Sequence, residues 1–208
     1  MNRKLLLPIP LILLIPVLLL IVVVAAGLYR FTLSDDDIMA KFPQAADPSN
    51  VIVAELLGIQ SANPWTLHVP EAGAVSFLDE WDKEHQYLKG DYDAGAARGE
   101  VLLPTDFIRS TQIDGTPWIV SPLIVTSQGT GAFYYLALFK FDPAVSRVVM
   151  VDSIFIGDRI KLASLNWHSD HEIRLVYFAH GEEQAKAEEP NQLIEQMFRR
   201  SANQLLIR

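Results

Sequence analysis

The strongest candidates for acid–base chemistry are a histidine and two glutamates in the segment His180-Gly181-Glu182-Glu183. An imidazole exchanges a proton near neutral pH, and a carboxylate beside it can supply the second group that general acid–base catalysis needs. The segment follows a predicted strand, and loops on a rigid scaffold often carry functional residues. His180, Glu182 and Glu183 are therefore the candidate catalytic residues. The alternative is a solvated strand end that has no part in any reaction.

A second candidate site is the adjacent pair Asp158-Arg159, which lies in a predicted turn. Opposite charges at a turn can contact a ligand, and they can equally satisfy each other and the local backbone. The candidate binding residues are Asp158, Arg159 and His180.

Two histidines and an aspartate fall within the four residues His168-Ser-Asp-His171. Imidazole and carboxylate groups are zinc ligands, but metal sites draw them from separated, rigid elements rather than from one tight turn. The sequence also holds no nucleophile elbow, phosphate loop or H-E-x-x-H helix. We expect no metal and no cofactor, and the pattern does not favour an enzyme.

A run of 25 uncharged, mostly apolar residues at positions 5–29 follows the basic pair Arg3-Lys4. As a helix it would extend about 37 Å, which exceeds a hydrocarbon core of about 30 Å. It predicts a transmembrane signal anchor, with a cleaved signal peptide as the alternative. The lipid bilayer is then the first expected partner.

Charge predicts the orientation of this span. Basic residues precede it, whereas residues 31–208 carry 14 basic and 25 acidic residues, a formal charge of −11. The prediction is a cytoplasmic tail at 1–4, a juxtamembrane segment at 30–50 and an extracytoplasmic domain at 51–208, anchored in a bacterial inner membrane. An acidic domain without clustered basic residues also argues against nucleic acid as a partner.

Two helices are predicted after the span. One begins at Ser34 as N-cap and ends before Pro43. The other begins at Ser76, ends at Lys89-Gly90, and places Trp81 and Leu88 on one face. The stretch Val51–Leu57 is predicted as the first strand of the domain.

From Trp118 onward, a period of two predicts a series of strands joined by short turns, which makes neighbouring strands antiparallel. Pro122 indicates an edge or a bulge in the first of them. Residues 191–208 fit a helix or two strands, and we choose strands. The predicted class is α+β, with a transmembrane helix followed by an antiparallel β-meander and one or two helices. The predicted strands are Trp118–Gln128, Ala132–Phe141, Arg147–Ile156, Arg159–Trp167 and Glu172–Ala179.

Three segments in this order resemble a bacterial cell-envelope domain of unknown function: Gly129–Phe139 (GTGAFYYLALF), Ile154–Leu165 (IFIGDRIKLASL) and a strand that ends at Ala179-His180-Gly181. The resemblance covers about residues 110–208. It implies an extracytoplasmic β-domain behind a lipoprotein signal or membrane anchor, and it implies no reaction.

Two functions of different class follow from these observations. The first is a non-enzymatic binding or structural module that binds a protein, peptide or glycan of the cell envelope. The second is a small anchored hydrolase of envelope material that uses His180 with Glu182 or Glu183.

Overall fold

In a computed structural model of the protein, the structure describes residues 11–32, 54, 65–144 and 146–208. The chain divides into two compact units, Met1–Ala45 and Ala46–Arg208. The predicted helix at Ser34 and the predicted strand Val51–Leu57 lie outside the described residues, apart from Ala54.

The predicted membrane span at 5–29 is contradicted. In the first unit, the described helix α1 (Leu11–Thr32) includes Arg30, a residue that is costly to place in hydrocarbon. Among the described residues, no helix is long and apolar enough to cross a membrane. The predicted single-pass inner-membrane localisation rested on this span, and it is contradicted with it.

The predicted α+β class is also wrong, because strands make up almost all the regular structure among the described residues of the second unit. The helix expected from Ser76 to Gly90 is three strands, β2 (Val75–Leu78), β3 (Glu80–Asp82) and β4 (Tyr87–Asp93). Trp81 and Leu88 do share a face, but as directly opposed residues of the β3–β4 hairpin. Residues seven apart in sequence lie on the same face of a helix, and in a short hairpin such residues can also stand opposite each other.

One sheet contains nine strands in the order β2-β1-β9-β8-β7-β5-β4-β3, with β6 paired to β7. All its pairs are antiparallel except β1 with β9, which run parallel at Thr66 and Val149. A single 3-10 turn, Thr105–Phe107, joins β5 to β6. The remaining strands are β1 (Trp65–His68), β5 (Arg98–Pro104), β6 (Arg109–Ile113), β7 (Thr116–Thr126), β8 (Ala132–Asp142) and β9 (Arg147–Asp158).

The two ends of this sheet meet at β2 and β4. The Ser76 hydroxyl donates to the Asp91 carbonyl at 2.8 Å, and the Asp79 amide donates to the Lys89 carbonyl at 3.1 Å. Gly90 permits the approach, since a Cβ atom there would lie 2.1 Å from the Phe77 carbonyl oxygen. The sheet therefore nearly closes on itself.

A second, four-stranded sheet follows chain order as an antiparallel meander. The expected succession of hairpins is confirmed for these four strands, and so is the choice of strands over a helix for residues 191–208. The expected pairing of Arg147–Ile156 with Arg159–Trp167 is wrong, because β9 and β10 lie in different sheets. Its strands are β10 (Lys161–Trp167), β11 (Glu172–Ala179), β12 (Gln192–Ser201) and β13 (Gln204–Ile207).

Strands β7 and β8 separate two hydrophobic cores. Phe139 packs inside the nine-stranded sheet with Trp65, at a ring distance of 5.2 Å. Leu136 and Leu138 point the other way and pack with Leu175 and Phe198 of the four-stranded sheet. The prediction that Ala132–Phe141 is a strand covered on both faces is confirmed.

Pro122 is buried within β7 and does not mark a bulge or an outer strand. It faces Leu136 of β8, while on its other side β7 pairs with β6 up to Val120 and with β5 from Ile124. Proline lacks an amide hydrogen, so it fits the gap where β7 exchanges one partner for the other. The prediction of an edge strand at Pro122 is wrong, because β7 is central in the sheet and lacks a partner on one side only between Val120 and Ile124.

We expect Phe139→Ala to lower the free energy of unfolding by about 3 to 5 kcal/mol, because it removes a fully buried ring and leaves a cavity. Phe77→Ala is the matched control, since 45% of Phe77 is exposed. Urea denaturation of the full chain measures both, and similar losses for the two variants would contradict the core described above.

Gly90→Ala should lower the free energy of unfolding by at least about 2 kcal/mol, because its methyl group would collide with the backbone of β2. Gly129→Ala serves as control, since its nearest contact would be 3.9 Å away. A Gly90→Ala variant as stable as Gly129→Ala would show that β2 and β4 do not meet.

Candidate functional site

His180 follows β11 and is half-buried at the start of a loop that spans residues 180–191, the acidic loop. Its Nε2 atom lies 2.9 Å from the Glu188 carbonyl oxygen. A carbonyl only accepts, so Nε2 carries a proton and donates this hydrogen bond. Nδ1 is buried and has no partner among the described residues. The imidazole thus closes the loop, and its proton is held by the backbone.

Glu182 and Glu183 are exposed, and neither makes a hydrogen bond or ion pair with His180 in the described structure. The loop is instead held by Gln184, which accepts from the Gly181 amide at 3.2 Å and donates to the Glu189 carbonyl at 2.6 Å. Lys161 of β10 pairs with the Glu189 carboxylate. The structure does not assemble the predicted acid–base pair.

Asp158 and Arg159 pair with each other at the turn between β9 and β10. The Arg159 guanidinium donates through Nε and Nη2 to the Asp158 carboxylate, at 2.8 Å for the shortest contact. Asp158 also accepts from the Ala132 amide at 3.3 Å, and the Arg159 amide donates to the Ala132 carbonyl at 2.8 Å. Arg159 has a φ of +52°, so these bonds stabilise an unfavourable backbone conformation. This geometry fits a structural turn better than a ligand site.

Hydrogen bonds from Arg159 hold the pKa of Asp158 below its ordinary value. The pair lies where the chain leaves one sheet for the other, and Ile160, the next residue, is buried in the second core. The Asp158–Arg159 ion pair therefore stabilises the turn at which the chain passes from the nine-stranded to the four-stranded sheet.

The His168–His171 turn does not assemble a metal site. In the described ranges, no group of three or more His, Asp or Glu side chains is arranged to hold a metal ion. His171 instead contacts Arg200, whose Nη2 lies 3.3 Å from the His171 Nδ1 atom.

Arg200 is a residue of interest that the sequence analysis missed. Only 8% of it is exposed, and its guanidinium carbon lies 4.6 Å from the centre of the Trp118 ring. The alternation of Ile194, Gln196 and Phe198 along β12 could have revealed it, because period two places Arg200 on the same inward face. A pocket of about 280 Å³, the basic pocket, lies at this end of β12; the lining residues are His171, Arg199, Arg200, Ser201, Ala202 and Leu206.

The face of the four-stranded sheet that points away from the second core is its outer face. Leu193 and Leu206 are 61% and 46% exposed there. Arg174 and Glu195 form a two-pronged ion pair, with distances of 2.7 and 2.8 Å. The outer face includes Arg174, Val176, Phe178, Leu193, Glu195, Met197, Arg199 and Leu206.

No protein-family model matches the chain, and no curated protein or solved structure matches it either. The resemblance to a cell-envelope domain therefore stays a prediction.

We expect Asp158→Asn to lower the free energy of unfolding at pH 7 by at most about 1 kcal/mol, because the pair is partly exposed. The folded-state pKa is lowered, so the stabilisation is present above the unfolded pKa of about 3.9 and is lost as pH falls through the folded value. Urea denaturation at pH 7 and at a series of lower pH values measures this effect. The difference in free energy of unfolding between Asp158→Asn and wild type should become smaller as the pH falls.

The control for this measurement is Asp170→Asn, which removes an exposed carboxylate that has no ion-pair partner among the described residues. It should leave stability unchanged throughout. A gap between Asp158→Asn and wild type that stays constant with pH would contradict the ion-pair explanation.

Proposed function

We propose that this protein is a non-enzymatic binding module, and that its ligand is a protein segment that carries both apolar and basic side chains. The segment binds the outer face next to the acidic loop. The observation that carries the proposal is the exposed Leu193, which stands opposite Phe178 and follows the acidic loop by two residues in the chain.

Apolar side chains on the outer face form the first part of the proposed binding surface. Leu193 stands directly opposite Phe178 in the β11–β12 ladder, and Val176 and Met197 lie on the same face. A single exposed leucine is ordinary, whereas neighbouring apolar side chains on one sheet face mark an interaction surface. Their contact area would supply the affinity.

The exposed glutamates of the acidic loop form the second part of the proposed binding surface. Glu182, Glu183 and Glu188 of the acidic loop are exposed and form no ion pair with any described residue, and Lys186 is the one basic side chain in the loop. The whole chain carries a formal charge of −8. Such a loop attracts a basic partner and disfavours an acidic one, and the attraction weakens as salt concentration rises.

The hydrolase alternative receives less support. Its proposed base, His180, already donates its Nε2 proton to a backbone carbonyl, and its proposed carboxylates make no contact with the imidazole. A binding surface needs neither of these contacts.

The test is site-specific photo-cross-linking of the full chain in its native cells. A cross-linker at position 193 should capture a partner whose bound segment contains lysine or arginine beside apolar residues. The same cross-linker at position 77, which is also exposed but lies on the other sheet, should not capture it.

The second measurement is the affinity of wild-type and variant proteins for the captured segment. Leu193→Ser, and separately Glu182→Gln with Glu183→Gln, should each weaken binding about five- to ten-fold. Phe77→Ser should leave it unchanged. A partner captured equally from both positions, or one indifferent to both sets of substitutions, would overturn the proposal.

A further inference from the structure

Strand β13 is the last strand of the four-stranded sheet, and in the described part of the chain no strand pairs with its other side. It is also short and apolar, and Leu206 and Ile207 are 46% and 58% exposed. An open edge presents backbone donors and acceptors to which another strand can bond, and exposed apolar residues favour such pairing. The β13 edge is therefore a place where a second chain could extend this sheet.

The alternation of hydrogen bonds shows which backbone groups of β13 face the open edge. The Arg208 amide donates to the Met197 carbonyl of β12 at 3.1 Å. In an antiparallel ladder, opposed residues alternate between hydrogen-bonded and non-hydrogen-bonded pairs. Leu206, two residues before Arg208, therefore also bonds to β12. The amides and carbonyls of Leu205 and Ile207 point away from β12, toward the open edge.

One of these edge-facing groups is already occupied. The Leu205 amide donates to Oδ2 of Asp152 at 2.6 Å, and Oδ1 of the same carboxylate accepts from the Ser153 amide at 2.9 Å. Asp152 belongs to β9, so its side chain reaches from the nine-stranded sheet to the edge of the four-stranded one. Its oxygen takes the position that the carbonyl oxygen of an added strand would need, because both would accept from the same amide.

A second copy of β13 is the occupant that this edge fits. Two copies related by a two-fold axis pair antiparallel, with Leu206 opposite Leu206 of the second copy and Leu205 opposite Ile207 of the second copy. Leu205 and Ile207 carry the edge-facing groups, so each copy would contribute both of their amides as donors. Apolar side chains would meet on both faces, and Arg208 would lie opposite the uncharged Gln204, so no like charges would meet.

We propose that Asp152 is an autoinhibitory contact that keeps the β13 edge from pairing with β13 of a second copy. Because the carboxylate holds the Leu205 amide, only the Ile207 amide of each copy is left to donate across the edge. An incoming Ile207 carbonyl would also meet a carboxylate oxygen where it needs a donor, and both groups are acceptors. Charged side chains at an edge are a known protection against strand addition.

Disulfide cross-linking of the full chain tests this proposal, because the sequence contains no cysteine. In the two-fold register, two thiols introduced by Leu206→Cys face each other in a non-hydrogen-bonded pair with Cα atoms about 4.5 Å apart, which permits a disulfide. With Asp152 intact, this variant should oxidise slowly. Adding Asp152→Ala should speed formation of the linked dimer about ten-fold, which corresponds to about 1.4 kcal/mol of restored pairing.

Three controls separate this pairing from other encounters between chains. Gln204→Cys lies on the same face of β13 but away from the two-fold position, so it should cross-link slowly with or without Asp152. Ile207→Pro should abolish the gain given by Asp152→Ala, since proline removes an edge-facing amide and leaves the bonds to β12 in place. Asp170→Ala, which removes an exposed carboxylate elsewhere, should give no gain.

Asp152→Leu is a second variant that keeps the test decisive where Asp152→Ala does not fold. Leucine keeps a branched side chain beside the second core, but it accepts no hydrogen bond from Leu205. It should give the same gain in cross-linking. Circular dichroism of each variant shows whether the sheets are retained.

Equal rates of cross-linking with and without Asp152 in a folded variant would overturn the proposal. So would a gain that Gln204→Cys shares, or one that persists with Ile207→Pro. None of these results bears on the protein partner captured at position 193.

Discussion

The two-sided burial of the β7–β8 hairpin is the constraint on which the rest of the structure depends. Ile119 and Phe139 point into the nine-stranded sheet, while Val120 and Leu138 point to the four-stranded one. Both cores would lose part of their apolar area if this hairpin changed register, because a shift of one residue exchanges its two faces. A single hairpin therefore sets the position of both sheets.

The sequence predicted this hairpin well and its surroundings poorly, for physical reasons. A strand covered on both faces has a nearly continuous apolar run, which is why residues 132–141 were recognised. In residues 76–90, a helix and a hairpin both bring Trp81 opposite Leu88. Only the close approach of β2 to Gly90 distinguishes the two, and that approach depends on strands distant in sequence.

The candidate sites show the same division between local and distant contacts. Proximity along the chain correctly indicated that Asp158 and Arg159 could satisfy each other. It could not show that the His180 proton is held by the Glu188 carbonyl, nor that Trp118 lies beneath Arg200. These contacts join residues from different elements, so local motifs do not reveal them.

The parallel pairing of β1 with β9 has a consequence for how the chain is made. Thr66 meets Val149, so the nine-stranded sheet cannot complete itself until the ribosome has released most of the domain. The four strands that follow β9 pair only with their neighbours in sequence, and such local hairpins form quickly. During synthesis, the edge of β1 that pairs with β9 must therefore stay open, although β2 can already contact β4, and this interval is the one in which a chaperone would protect the chain from aggregation.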